Sequence, residues 1–236
     1  MAALILEPAI GGGGVFPVPN SYMERVRAIC DRYRVLMIVD EVITGFGRTG
    51  KFFASEHSGI RPDLMTLAKG ITSGYLPLGA TIASRKVFQA FLSANDPKAK
   101  FTQVSTFGGH PCSCAAALAN LDILIGERLW ENAARVGPYL ANSFRELKLP
   151  AIGEVRSWGL LIGLELVADS HRTPLPEPRV VAAQRAIRDA GVIVGRNNDT
   201  VPGYCNVLTI APPLTLTEQE ADLIVAAVKS GLPAVP

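Results

Sequence analysis

Short unbroken apolar runs and helical stripes take turns along the first 150 residues. "ALIL" at 3–6 has the length of a buried strand and stops at Pro8, ahead of four glycines at 11–14. Apolar residues at 22, 23, 26, 29, 30 and 33 then form a 3.6-residue stripe, with Ser21 placed to cap it. "VLMIV" (35–39) follows as a second strand. Strand, helix, strand predicts a βαβ unit with a right-handed crossover and parallel pairing. "DLMTLAKG" (63–70) and "LGATIAS" (78–84) read as further buried strands. "CSCAAALANLDILI" is an Ala/Leu-rich helix with Pro111 where a first turn accepts it. "ERLWENAARVGPYLANSFRELK" is a long amphipathic helix in which Gly137-Pro138 predicts a kink.

Near residue 150 the texture changes. "GLLIGLELV", "VIVG" and "NVLTIAPP" read as strands, and "RVVAAQRAIRDAG" as a helix closed by Gly191. "TEQEADLIVAAVKSG" is a last helix, where Thr217 and Glu220 form a capping box. The pattern predicts an α/β domain with a mostly parallel sheet over 1–149 and a small α+β domain over 150–236.

Composition narrows the partners. Over 236 residues, 23 Lys+Arg against 21 Asp+Glu leave a net charge of +2, which gives no field for nucleic acid or a membrane surface. No apolar run reaches membrane-spanning length, and "MAALILEPAI" has no basic n-region, so a cytoplasmic protein is expected. Four cysteines do not make a disulfide scaffold, and the scattered His57, His110 and His171 show no metal spacing.

The chemistry gathers where "VLMIV" runs into Asp40 and Glu41 and then into the loop "ITGFGRTGKF". One machine that ends a strand in Asp-Glu is a P-loop ATPase, and Gly45, Gly50 and Lys51 fit its glycine spacing. The fit fails because Phe52 stands where a magnesium-binding Ser or Thr is required, and the loop follows the acidic strand instead of preceding it.

The other machine is a pyridoxal phosphate enzyme. Alternation puts Asp40 and Val42 on one face, so Asp40 can hold a protonated pyridine nitrogen while Val42 packs against the ring. A buried carboxylate needs such a cation. Lys69 closes another apolar strand, with Gly70 to let the backbone turn, and burial beside a cationic cofactor would keep its amine nucleophilic. In "STFGGHP", Ser105 and Thr106 offer hydroxyls for a phosphate directly before a helix N-terminus.

Taken together, "ILEP", "VDEVITGFGRTG", "PDLMTLAKGI", "LPLGA", "STFGGHP" and "APPL" resemble the class III pyridoxal phosphate aminotransferases, the fold-type I group that contains ω-amino acid transaminases. The resemblance covers essentially the whole chain in order. It implies Asp40 on the ring nitrogen, Val42 against the ring, and Lys69 as the Schiff-base and proton-carrying residue. It further implies a homodimer in which Thr106 binds the phosphate of the cofactor held mainly by the neighbouring subunit, with Glu7 lining the substrate side. Arg48 and Glu41 match motif letters and are read as structural.

Two departures carry expectations of their own. Many relatives place an arginine three residues before the last Pro-Pro to grip a substrate carboxylate. Here that position is Thr209, which leaves Arg156 and Arg196 as substitutes and favours an amine or ω-amino acid donor with a keto acid acceptor. The chain also starts at the "LILEP" strand, where the family has an upstream part with its own phosphate loop, so it reads as a C-terminal part that holds the cofactor poorly alone. A lyase, decarboxylase or aminomutase on the same scaffold, or a non-catalytic dimerising remnant, are the alternatives.

Overall fold

The computed structural model describes residues 1–19, 21–92, 100–197 and 201–232. In chain order the elements are β1 (Ala3–Leu6), β2 (Ala9–Ile10), β3 (Phe16–Pro17), α1 (Tyr22–Tyr33), β4 (Leu36–Asp40), β5 (Leu64–Leu67), β6 (Ala80–Ala83) and α2 (Arg85–Leu92). They continue with α3 (Pro111–Gly126), α4 (Leu129–Glu146), β7 (Ile152–Trp158), β8 (Leu161–Leu166), α5 (Glu177–Asp189), β9 (Gly195–Arg196), β10 (Val207–Ile210) and α6 (Glu218–Gly231). Single 3-10 turns lie at Ala54–His57 and Lys69–Ile71.

Two compact units divide these elements. The first joins Met1–Pro8, Pro19–Phe46 and Phe53–Arg128, and the second joins Ala9–Val18, Gly47–Phe52 and Leu129–Pro236. The long helix α4 therefore lies in the second unit, although the change of texture near residue 150 left it in the first. Its apolar stripe explains the placement, since Val136, Leu140 and Phe144 enter the same core as β8, β10 and α6.

In the first unit β1, β4 and β5 pair in parallel, as apolar runs joined by a helical crossover should. β6 departs from that pattern: it returns antiparallel to β5 at the sheet edge, and its Ile82 is exposed. Met37 and Val39 are fully buried on one face of β4. Helix α1 forms where the stripe placed it, but Ser21 does not cap it: its backbone is left-handed (φ 62) and its side chain makes no cap hydrogen bond. Asp63 ties three elements together instead, accepting from the Met37 N–H (2.9 Å) and from Arg27 of α1 (2.8 Å) just before β5 begins.

The second unit holds an antiparallel four-stranded sheet in the order β7-β8-β10-β9. Leu164, Leu166 and Leu208 are fully buried in a core shared with α4, α5 and α6. Helix α4 runs through Gly137-Pro138, and glycine is needed there because an added Cβ would lie 2.3 Å from the Gly159 carbonyl oxygen. Thr217 and Glu220 form the expected capping box on α6. The four-glycine stretch is the turn of a small hairpin, β2–β3.

Candidate active site

Asp40 is the last residue of β4 and pairs in register with Thr66 of β5. The strand ends there, so the alternation expected to carry on through Val42 stops two residues early. Val42 lies in the following turn, and its N–H donates to Asp40 Oδ1 at 2.9 Å. That single bond orients the half-buried carboxylate and leaves its second oxygen for another donor.

Glu41 is different. It is fully buried, and its oxygens accept from the Thr44 hydroxyl (2.6 Å) and from the Ala54 (3.0 Å) and Ser55 (2.8 Å) N–H groups. Three donors compensate the buried charge and pin the loop that follows β4. The glycine loop itself leads into the 3-10 turn at Ala54–His57 and opens no α-helix, which removes the helix N-terminus that a P-loop uses to hold phosphates.

Lys69 follows the end of β5 by two residues, at the same sheet end as Asp40. It starts the Lys69–Ile71 turn with φ +42, a conformation that non-glycine residues disfavour. Its side chain is exposed. Gly70 packs against Phe46, where an added Cβ would come within 3.0 Å of the Phe46 Cβ. From α3, the Asn120 side-chain amide donates to the Gly70 (2.9 Å) and Ile71 (3.2 Å) carbonyls. Glu7, directly after β1, is half-buried at the carboxyl end of the third parallel strand.

Thr106 and Ser105 are exposed in the turn before α3, where the Gly108 N–H donates to the Ser105 carbonyl at 2.9 Å. His110, not a hydroxyl residue, caps the helix: its Nδ1 accepts from the Cys112 N–H at 3.3 Å.

Two residues escaped the sequence reading. Thr66 Oγ1 is buried without a hydrogen-bond partner, one of two such side-chain atoms among the described residues, and it stands directly across from Asp40. Nothing in a strand sequence marks an orphaned hydroxyl. Asn120 left a signal, since an asparagine inside an Ala/Leu helix competes with the backbone and needs a reason to be there. A carboxylate with a spare oxygen, an unsatisfied hydroxyl opposite it and an accessible amine at the ends of adjacent strands fit a protonated pyridine ring that carries an aldehyde.

In the second unit Arg156, Gly163, Thr209 and Gly195 form one row across β7, β8, β10 and β9, on a single face. Arg156 is not available to a ligand. Its guanidinium donates to the Gly14 and Val15 carbonyls and to Glu154 and Glu165, and stacks 4.1 Å from the Phe16 ring centroid. Arg196 pairs with Glu177. Arg48 donates to the Leu160 (2.9 Å) and Pro212 (2.6 Å) carbonyls, and burial lowers its guanidinium to about 10. Thr209 lies close over Gly195, where an added Cβ would be 2.4 Å from the threonine hydroxyl oxygen.

A parallel α/β sheet with a carboxylate, a hydroxyl and an amine at its carboxyl end makes this a candidate site for pyridoxal phosphate. The model of the aminotransferase class-III family matches residues 1–232, and the chain belongs to that family. It is 46% identical over 231 residues to the Bacillus subtilis (strain 168) protein named "uncharacterized aminotransferase YhxA", covering 97% of this chain and 51% of that one. A taurine–pyruvate aminotransferase of Bilophila wadsworthia is 42% identical over 234 residues, with 97% and 51% covered. Among solved structures, a Bacillus anthracis aminotransferase superposes with a TM-score of 0.94 at 41% identity, over 98% of this chain and 52% of that one. An amine transaminase from an uncultivated Pseudomonas species, in its pyridoxal-phosphate-bound form, gives 0.90 at 42% identity, over 98% and 51%. The chain thus spans about half the length of the relatives it matches.

Proposed function

We propose that this chain carries the cofactor-bonding lysine and the ring-nitrogen partner of a transaminase that moves an amino group between an amine or ω-amino acid and a keto acid. One observation supports the reading above all: Asp40 and Lys69 leave the carboxyl ends of two hydrogen-bonded parallel strands, with the orphaned Thr66 hydroxyl in register with Asp40. Open α/β sheets bind ligands at that end.

When bound, pyridoxal phosphate supplies an electron sink for the donor's α-carbon electrons. Asp40, oriented by the Val42 N–H, would hold the ring nitrogen protonated, and Val42 would pack against the ring. Lys69 would hold the cofactor at its aldehyde carbon, and its amine would be the base and acid that moves the donor's proton. Thr106 binds the phosphate of the cofactor held mainly by the neighbouring subunit of a homodimer, and Glu7 lines the substrate side.

The donor class rests on the second unit. Thr209 stands where many relatives carry a carboxylate-binding arginine, while Arg48, Arg156 and Arg196 bond to the chain's own carbonyls and carboxylates. Without a guanidinium fork an α-carboxylate loses roughly 1.5–3 kcal/mol of charge-assisted hydrogen bonding. The taurine–pyruvate name of one relative points to the same donor class. Rates with taurine, β-alanine and simple amines, with pyruvate as acceptor, are expected to exceed those with α-amino acids by about tenfold or more. Lys69→Ala should abolish them all. Faster turnover of α-amino acids would overturn the donor assignment.

A further inference from the structure

We infer that Asn120 is a positioning residue for Lys69, acting through the backbone of the turn that presents it; this rests on the role given to Lys69 above. The turn stores strain and needs restraint. Lys69 sits at φ +42, and the turn's own hydrogen bonds are the Ile71 N–H to the Ala68 carbonyl (3.0 Å), the Thr72 N–H to the Lys69 carbonyl (3.3 Å) and a long one from the Ser73 N–H to the Gly70 carbonyl (3.4 Å). The two carbonyls that come next along the chain, those of Gly70 and Ile71, are both held by one amide, Asn120 Nδ2, at 2.9 and 3.2 Å.

The helix sets that amide in place. Ser113, Ala117 and Leu124 are buried at spacings of four and seven residues, and Asn120 falls on the same stripe of α3. An alanine or leucine at 120 would fill the stripe and suit a helix better. What asparagine adds is a pair of donors aimed at two consecutive peptide groups. Loss of that hold would free both peptides to rotate and loosen the turn that begins at Lys69. Gly70, tight against Phe46, restrains the same turn through packing. Asn120 thus fixes where the amine is offered without touching it.

A matched control exists. On α4, Asn132 Nδ2 makes the same double bond to the Leu214 (2.7 Å) and Leu216 (2.9 Å) carbonyls, in the other unit. Asn120→Ala removes the donors and keeps a strong helix former, and Asn120→Asp keeps the shape but sets carboxylate oxygens against the two carbonyls. In the chain without cofactor, amide hydrogen exchange at Ile71, Thr72 and Ser73 should quicken about tenfold in both variants, the loss expected of two modest hydrogen bonds. With pyridoxal phosphate added and borohydride used to trap the adduct, the rate of trapping at Lys69 should fall about tenfold as well. Asn132→Ala should change neither. Unchanged exchange, or faster exchange with undiminished trapping at Lys69, would reduce Asn120 to a brace of the fold and overturn the inference. Trapping on a lysine other than Lys69 in the unsubstituted chain would overturn the role of Lys69 itself, and with it this one.

Discussion

Asp40 and Glu41 show how neighbouring carboxylates acquire separate tasks. Glu41 spends its oxygens on a hydroxyl and two backbone N–H groups inside the protein, whereas Asp40 takes one backbone donor and keeps an oxygen at the sheet end. The positions of these two and of Lys69 at strand ends were legible in the sequence, because a polar residue that closes an apolar run stands out. Thr66 and Asn120 were not, since an orphaned hydroxyl and a pair of carbonyls fifty residues away exist only after folding. Gly137 offers a test at this scale. Ala is the better helix former by about 1 kcal/mol, yet its Cβ would press into the Gly159 backbone, and overpacking of this kind costs about 1–3 kcal/mol. The clash should win, because the opposing atoms are main chain and cannot rotate away. Urea unfolding of Gly137→Ala should show a net loss of stability, and an increase would mean that α4 and the Gly159 turn separate freely there.

At the scale of elements, β1, β4 and β5 were readable as apolar runs because a parallel strand is buried on both faces. β7 was missed, since Glu154 and Arg156 put charge on one of its faces and broke the apolar signal. That charge belongs to the network that clamps the β2–β3 hairpin, itself unreadable with strands of two residues on either side of glycines. The tie between α1, β4 and β5 yields a pH prediction. Burial opposes the charge on Asp63, but the Met37 N–H and the Arg27 guanidinium outweigh it, so its pKa lies below the usual carboxylate range. A carboxylate depressed in the fold stabilises it above the unfolded pKa, near 4, and loses that contribution as pH falls through the lower folded value. Unfolding midpoints from pH 6 down to pH 2 should therefore fall more steeply for the parent chain than for Asp63→Asn. Equal slopes would mean that Asp63 contributes nothing to acid sensitivity.

At the scale of the molecule, the two units differ in how they bury apolar surface. The second closes a continuous core under its antiparallel sheet. The first leaves Ile5, Ile82, Phe107, Leu118 and Ile123 exposed. No helix among the described residues is long and apolar enough to cross a membrane. The proposed function depends on Lys69 as the lysine that would bond the cofactor. The most direct measurement is to incubate the chain with excess pyridoxal phosphate, reduce with borohydride, digest, and locate the modified lysine by mass spectrometry. A dominant adduct on Lys69, weakened in Asp40→Asn and absent in Lys69→Ala, is the predicted result. An adduct spread over Lys51, Lys86 and other surface lysines, or one that survives Lys69→Ala undiminished, would contradict it.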